Sequence, residues 1–188
     1  MKHSTNKYSL NIFNSLAKKL WNNNEGATAV EFALIGPVFF ALLFSTFELG
    51  VLTVKSTLLE LAAAEASKKI YIGAVSTGGV TSEDLQESIC ERISYIDSNC
   101  RDNLTLELTP ISDFNSIPNT DATCTDSDVE IKPTVTFTPG NSNETVYMRI
   151  CLTTNVNIPG IGFGLSLVKT ETGKTQLVSA LAFSNEPF

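Results

Sequence analysis

The sequence predicts an α+β protein in which a long N-terminal helix packs on an antiparallel sheet. Residues 32–54 form an apolar run whose only charged member is Glu48, and good helix formers continue to about Ile72. After Asn103 the composition changes to Thr, Val and Ile in alternation with polar residues, which is typical of strands. A helix stripe and a sheet face both need an apolar partner, so the two are expected to cover each other.

Charge is distributed unevenly along the 188-residue chain, whose net charge is −7. Residues 1–26 hold four lysines and one glutamate, a net charge of +3, so the rest of the chain carries −10. Binding to phosphates needs a concentrated basic surface. The acidic body therefore argues against nucleic acid as a partner.

The apolar run is long enough to cross a lipid bilayer. A helix rises about 1.5 Å per residue, so the 23 residues from 32 to 54 span a hydrocarbon layer roughly 30 Å thick. Lys18 and Lys19 precede the run and only Lys55 follows closely, which predicts that the N-terminus is cytoplasmic and the C-terminus is outside. We therefore predict a cytoplasmic leader at 1–26, a transmembrane helix at 27–54 and an extracytoplasmic domain at 55–188.

A cleaved secretory signal peptide is the competing interpretation of a basic start followed by an apolar core. Such cores usually run about 7 to 15 residues and end at a small-residue cleavage site. Here the run is longer, and the small residues at 26–29 precede it instead of following it. A retained anchor is favoured.

Glu31 lies at the N-terminal edge of the apolar run. A carboxylate costs roughly 2.5 to 3.5 kcal/mol at the centre of a bilayer and less near its surface, so a partner is expected. A cut between Gly26 and Ala27 would create an α-amino group about one helical turn away, or on a neighbouring subunit. That pair gains more in a poorly hydrated site than in water. The alternative is a carboxylate that reaches headgroup water.

The N-terminal region resembles the prepilin-peptidase signal of type IV pilins and pseudopilins. "GATAVEFALIGPVFFALLFSTFELG", followed by "LLELAAAEASKK", is similar to the TadE-like pseudopilins of tight-adherence (Flp) pili. The ending "VSALAFSNEPF" also resembles the end of many such proteins. Leu49 departs from the family's Glu-Phe-Gly pattern, and Val51 and Ala64 stand where basic residues are common. The positions that carry the resemblance are Gly26, Glu31, Phe32, Pro37, Glu48, Gly50 and Ala63 to Ala66.

The resemblance implies a pilin-like fold and a structural role without enzymatic activity. It implies that a prepilin peptidase cleaves between Gly26 and Ala27, and that Glu31 and Phe32 serve assembly with other pilins or pseudopilins at an inner-membrane platform. The protein would lie in the bacterial inner membrane, in contact with lipid, and enter the extracellular pilus after assembly. No cofactor and no small-molecule substrate are implied.

Two further positions in the apolar run have open interpretations. Pro37 removes a backbone donor and is expected to kink or loosen one turn, either for function or incidentally. Glu48 lies about 26 Å along the helix from Glu31, near the opposite membrane surface. Solvation at that surface and a pairing role are equally open for Glu48.

Beyond the membrane we predict a helix that continues to about Ile72 and is broken by the glycine pair at 78–79. Thr81 or Ser82, followed by two acids, is typical of an N-cap and opens a second helix that reaches about Ile96. Its expected role is core packing. The predicted buried stripe of that helix is Leu85, Ile89, Ile93 and Ile96.

Five segments are predicted as antiparallel strands, separated by turns rich in Pro and Gly. In the third strand, even-numbered apolar residues alternate with Tyr147, Arg149 and Cys151, which indicates one buried face. The residues at 110–129 are predicted to form a polar loop. The five strands lie at 104–109, 130–138, 145–156, 165–171 and 175–184, and the buried face is Val146, Met148, Ile150 and Leu152.

The four cysteines all lie in the part predicted to be outside, where disulfides form. Three pairings are open. We prefer Cys90 with Cys100, because a helix end and the turn after it can meet. Cys124 and Cys151 then pin the polar loop to the central strand. A zinc site is the weaker interpretation, because the chain has no Cys-x-x-Cys pair.

Enzymatic chemistry finds little support in the residues. The only histidine is His3, in the leader, which excludes Ser-His and Cys-His nucleophilic pairs from the body. Asp126, Asp128 and Glu130 alternate and could bind calcium. A solvated acidic loop is favoured, since the glycine and final glutamate of an EF-hand are missing. No metal or cofactor is predicted.

Three hypotheses follow from the sequence. The favoured one is a minor pilin or pseudopilin that supports pilus biogenesis and surface adhesion. The second is a permanently anchored, uncleaved envelope protein whose outer domain binds a ligand or surface. The third is a secreted enzyme that has lost its apolar segment.

Overall fold

The computed structural model describes residues 26–118, 120–126, 128, 133–158, 160–167 and 169–187. Contacts between residues divide the chain into two compact units, Met1–Leu43 and Phe44–Phe188. The predicted leader, apart from Gly26, lies outside the described residues.

The first helix, α1, comprises Ala27–Tyr71, 45 residues. It ends one residue before the predicted limit and continues through Pro37. Apolar and helix-forming residues dominate this stretch, and no other proline interrupts it. The predicted long helix is therefore confirmed.

Gly73, and not the glycine pair at 78–79, ends α1. Its φ of 75° is in the left-handed region, which glycine adopts without a steric penalty. The Gly73 N–H donates to the Ile70 carbonyl at 2.9 Å, and the Ala74 N–H donates to the Lys69 carbonyl at 3.1 Å. These two bonds form a Schellman motif, which satisfies carbonyls left open at the helix end. The predicted break was placed too late because Gly73 is the first residue after the run that suits this geometry.

Helix α2 comprises Ser82–Ile93 and begins as the sequence predicts. Thr81 is its N-cap: the Thr81 hydroxyl accepts from the Asp84 N–H at 3.2 Å, and the Thr81 N–H donates to the Asp84 carboxylate at 2.9 Å. The bonds from the Thr81 backbone and side chain hold the pKa of Asp84 below its usual value. The helix ends three residues earlier than predicted, and a four-residue helix, α3, follows at Cys100–Asn103.

Among the described residues, three strands form one antiparallel sheet in the order β1-β2-β3. The strands are β1, Leu104–Ile111; β2, Thr145–Thr154; and β3, Thr175–Ser184. Strand β2 lies at the centre, where Ile150 is opposite Leu106 on β1 and Ser179 on β3. The helix-on-sheet α+β prediction is confirmed.

Two of the five predicted strands are not among the strands formed by the described residues, which exclude 130–132 and 168. In the segment 130–138, residues 130–132 lie outside the described part, and the remainder makes one parallel bridge, Phe137 to Leu108. In the segment 165–171, a short helix, α4, occupies Phe163–Ser166 and ends inside the predicted strand. Both segments have strand-forming side chains, but a strand also needs a neighbour along its length.

The core lies between one face of the sheet and the helices α1 and α2. Val146, Met148, Ile150 and Leu152 are fully buried on that face, as predicted. The helices contribute apolar residues at helical spacing, which confirms that the outer part of α1 packs on the sheet. These helix residues are Leu59, Ala62, Ala63, Ala66, Ile70, Leu85, Ile89 and Ile93.

The opposite face of β2 is also covered, which the alternation did not predict. Arg149 is only 6% exposed. Its guanidinium donates to Glu107 Oε2 from Nε at 2.9 Å and from Nη2 at 2.7 Å, and to the Thr120 carbonyl from Nη1 at 2.7 Å. The predicted polar loop, which was expected to be held to the central strand through Cys124, thus also contacts the sheet through Thr120.

Both disulfides join the pairs preferred from the sequence. Cys90 and Cys100, with Cα atoms 5.5 Å apart, join the end of α2 to α3. Cys124 and Cys151, with Cα atoms 5.3 Å apart, join the covering loop to β2. A disulfide typically stabilises a domain by about 2 to 4 kcal/mol.

We expect no free thiol in the protein isolated from cells. Alkylation under denaturing conditions without reductant should leave the mass unchanged, whereas alkylation after reduction should label all four cysteines. Labelling of all four before reduction would contradict both bonds.

Candidate functional site: the apolar N-terminal helix

The part of α1 in the first unit exposes apolar side chains in every direction. Neighbouring positions on a helix point about 100° apart, so consecutive apolar residues cover the whole circumference. A helix of that kind is either enclosed in a large core or spans a membrane. Among the described helices, α1 is the one long and apolar enough to cross a membrane by length and composition. The exposed apolar residues are Val30, Phe32, Leu34, Ile35, Val38, Phe39, Phe40, Leu42 and Leu43.

Gly26, Ala27, Glu31 and Phe32 lie together in the first turns of α1. Gly26 immediately precedes the helix, and a side chain added there would meet no atom within 4 Å. Glu31 is exposed, and within the described part of the chain no residue forms an ion pair with it. Phe32 is 66% exposed. The ring of Phe32 lies over Gly36 one turn later in the same helix, and both Glu31 and Phe32 are exposed at the surface of the described chain.

Glu48 has a partner in its own chain. Its side chain is fully buried, and its two carboxylate oxygens each accept a backbone N–H, from Asn157 and from Ile158, both at 3.0 Å. Of the two roles left open by the sequence, the structure therefore shows pairing.

Ser45 adds a third bond, one turn before Glu48 on α1. The Ser45 hydroxyl accepts from the Phe163 N–H at 3.0 Å. Residues three apart on a helix lie on the same side, so Ser45 and Glu48 together hold the segment that follows β2. We call these two side chains the helix clamp.

Lys55 lies two turns after the clamp and is also buried, although the sequence suggested a flanking charge at the membrane surface. Its Nζ donates to the Thr154 hydroxyl at 2.6 Å, and that hydroxyl donates to Asp97 Oδ2 at 2.6 Å. A buried ammonium is expensive unless it is paired, so this chain of bonds fixes α1 against the end of β2.

Most of α1 is similar to a known protein family. A model of the TadE-like protein family matches residues 26–68. We call the matched residues, 26–68, the TadE-like domain. The match includes every N-terminal position on which the resemblance depends, and it ends within α1 before the sheet begins. No curated protein and no solved structure matched the chain.

Gly50 lies in the second half of the TadE-like domain and borders an open groove of about 300 Å³. A side chain added at Gly50 would meet no atom within 4 Å, so packing inside the described chain does not require glycine there. The small residue instead leaves the groove open. The other residues that line it are Phe47, Val51, Val54 and Ile96.

The acidic stretch outside the TadE-like domain binds a lysine. Lys174 Nζ lies 2.5 Å from Asp126 Oδ1 and 2.9 Å from Asp128 Oδ2, and the Thr172 hydroxyl donates to Asp126. Burial raises the pKa of Asp126, but the bonds from Lys174 and Thr172 outweigh burial and leave that pKa below its usual value. The interpretation of Asp126 as part of a solvated acidic loop is therefore wrong, because its carboxylate is buried against Lys174. Glu130 lies outside the described residues.

Sequence reasoning missed Ser45 of the TadE-like domain and the buried role of Lys55. Ser45 and Glu48 are the two polar side chains one turn apart late in the apolar run, and that spacing could have indicated a shared partner. For Lys55, the neighbouring residues Val54 and Ser56 gave no such signal.

Proposed function

We propose that this chain is a minor pilin or pseudopilin of tight-adherence (Flp) pili. In this role a prepilin peptidase removes the leader after Gly26, and the mature protein assembles through its N-terminal helix to support pilus biogenesis and surface adhesion. The observation that carries the proposal is the coincidence of the TadE-like domain with a helix that exposes apolar side chains on all sides. The TadE-like family is a family of structural pilus components, which supports a role without catalysis.

The proposed location is the bacterial inner membrane, with one spanning helix, a cytoplasmic leader and the acidic body outside. The lysines of the leader support this orientation, because positive residues flank the cytoplasmic ends of membrane spans. The expected partners are lipid, the prepilin peptidase, the inner-membrane assembly platform and other pilins or pseudopilins.

Assembly would exchange one apolar environment for another. In the membrane, lipid covers the exposed side chains of α1; in a filament, the helices of neighbouring subunits would cover the same side chains. The carboxylate of Glu31 would favour the filament in this exchange. Its exposed carboxylate at the helix start fits the α-amino group that cleavage creates at Ala27, on this subunit or on a neighbour.

The N-terminal residue of the protein extracted from bacterial membranes tests this proposal. We expect Ala27 as the first residue when the prepilin peptidase is present and Met1 when it is absent. Gly26→Leu should block the cut, because the bond after a small residue is the one recognised in the resemblance. The matched control is Gly50→Leu, which adds the same side chain at a glycine inside α1 that also has open space around it, and which should leave cleavage unchanged.

An intact N-terminus in cells that contain the peptidase would overturn processing. It would favour the uncleaved, membrane-anchored envelope protein instead.

A further inference from the structure

The segment that follows β2, residues 155–167, is unusual for a loop in an acidic body. It contains no charged side chain. Ile161 and Leu165 are 43% and 65% exposed, while Phe163 and Leu167 are half-buried. A loop on the water-facing surface is normally polar. We call this segment the apolar loop.

The helix clamp places the apolar loop beside the apolar run of α1. Glu48 precedes Lys55 by seven residues and Ser45 precedes it by ten, which is about 10 and 15 Å along the helix axis. Strand β2 contacts Lys55 at Thr154. From there, three extended residues span about 10 Å to Asn157, which matches the distance along the helix from Lys55 to Glu48. The loop therefore continues from the polar level of Lys55 toward the middle of the apolar run.

The same clamp satisfies three backbone N–H groups of the apolar loop, which lowers the cost of placing that loop beside lipid. Irregular backbone is tolerated at membrane depth only where protein groups satisfy its N–H and C=O groups. Glu48 accepts the N–H groups of Asn157 and Ile158, and Ser45 accepts that of Phe163. In return these bonds satisfy a buried carboxylate in the apolar run, which would otherwise be costly.

We infer that the apolar loop is a second membrane contact, which lies in the outer surface layer of the bilayer beside α1. The inference rests on the membrane location in the proposed function. Lipid is the occupant that fits, because the loop is bonded to Glu48 and Ser45, and both the loop and the helix neighbours of Glu48, Phe47 and Leu49, expose apolar side chains. Residues 155–167 carry no charge, and the carboxylate of Glu48 is buried. The helix clamp then sets the depth of the loop.

Tryptophan fluorescence in phosphatidylcholine vesicles tests the inference. The starting protein is the full chain with its single tryptophan, Trp21, changed to phenylalanine. Three variants each add one tryptophan: Leu165→Trp in the loop, Phe40→Trp in the apolar run and Tyr95→Trp at a site that is 95% exposed. Lipids brominated near the glycerol or near the chain ends quench tryptophans at the corresponding depths.

We expect shallow bromines to quench Leu165→Trp, deep bromines to quench Phe40→Trp, and neither to quench Tyr95→Trp. If Leu165→Trp resembles Tyr95→Trp while Phe40→Trp is quenched, the inference is overturned and the proposed membrane anchor stands. If Phe40→Trp is also unquenched, the anchor itself has failed and the inference fails with it. A blue-shifted but unquenched Leu165→Trp would show that protein, such as a second copy, covers the loop, which also overturns the inference.

Adding Glu48→Ala to each reporter tests the clamp. The change removes the acceptor of two backbone N–H groups, so we expect quenching of Leu165→Trp by shallow bromines to be lost and quenching of Phe40→Trp to persist. Unchanged quenching of Leu165→Trp would overturn the role of Glu48 in holding the loop at that depth.

Discussion

Cells whose only copy of this chain carries Glu31→Ala are expected to lose their pili while they still process and fold the protein. The carboxylate is exposed and packs against nothing in the described chain, so its removal should leave the outer domain unchanged. What is lost is the proposed bond to an α-amino group in a poorly hydrated contact, where a charge pair is far stronger than in water. The measurement is the amount of pilus sheared from cells, with electron microscopy as a second readout.

Glu60→Ala is the matched control for this experiment. Glu60 is another exposed acid of α1, in the second unit and beyond the predicted membrane segment, so its removal changes the net charge equally. It should leave piliation intact. Mass spectrometry of both variants should show cleavage after Gly26 and two intact disulfides. Normal pili in the Glu31→Ala strain would refute the assembly role of Glu31.

The parts of the fold that depend on local pattern could be predicted from the sequence. The helix α1 follows from an apolar run joined to good helix formers, and the α2 cap follows from Thr81 with an acid three residues later. The buried face of β2 follows from strict alternation. In each case the residues that decide the structure are neighbours along the chain.

The parts that depend on distant contacts could not be predicted. Glu48 lies 109 residues from Asn157, and Asp126 lies 48 residues from Lys174. No local pattern distinguishes a carboxylate that accepts backbone N–H groups from one that is solvated. The same reason applies to the strand wrongly predicted at 165–171: its first two residues belong to α4, which begins at Phe163, where the backbone N–H bonds to the distant Ser45.

The residue at which a helix ends is also hard to predict from the sequence. By residue type alone, Gly73 and the pair at 78–79 could each end α1. All of them lie in the connection between α1 and α2, together with the extended N-cap Thr81. Only the hydrogen bonds to Ile70 and Lys69 decide which glycine ends the helix. Residue type alone does not rank them.

Replacement of Lys174 by methionine is expected to cost about 3 kcal/mol of unfolding free energy. Lys174 is 7% exposed, and it is the cation between Asp126 and Asp128. Methionine nearly fills the space of the lysine chain but removes the charge, so Asp126 is left buried without its ammonium. Urea unfolding of the full chain in detergent, followed by circular dichroism at pH 7, measures the loss.

Lys68→Met is the matched control, because Lys68 is an exposed lysine in the last turn of α1. Its favourable position at a helix C-terminus is worth at most about 1 kcal/mol. Equal losses for Lys68→Met and Lys174→Met would show that the bonds to Asp126 and Asp128 contribute nothing beyond general charge.

The pH dependence of the unfolding free energy gives a sharper test, because it should differ between wild type and Lys174→Met. In the wild type the pKa of Asp126 is lowered, so its contribution is present above its unfolded pKa near 3.9 and is lost as pH falls through the folded pKa. Although burial alone lowers the pKa of Lys174, its carboxylate partners raise it. Its contribution is therefore complete below about pH 10.4 and is lost as pH rises through the folded pKa.

In Lys174→Met the alkaline loss from this lysine disappears. Without the ammonium, which is the largest of the effects that lower the pKa of Asp126, that pKa should be higher than in wild type, although the bonds from Thr172 and the Asp128 N–H remain. The variant should therefore recover part of its deficit as acidic pH protonates Asp126. The difference in unfolding free energy between wild type and variant should therefore shrink from pH 7 toward pH 4. A difference that stays constant over that range would show that Lys174 stabilises the domain by packing and not by its charge.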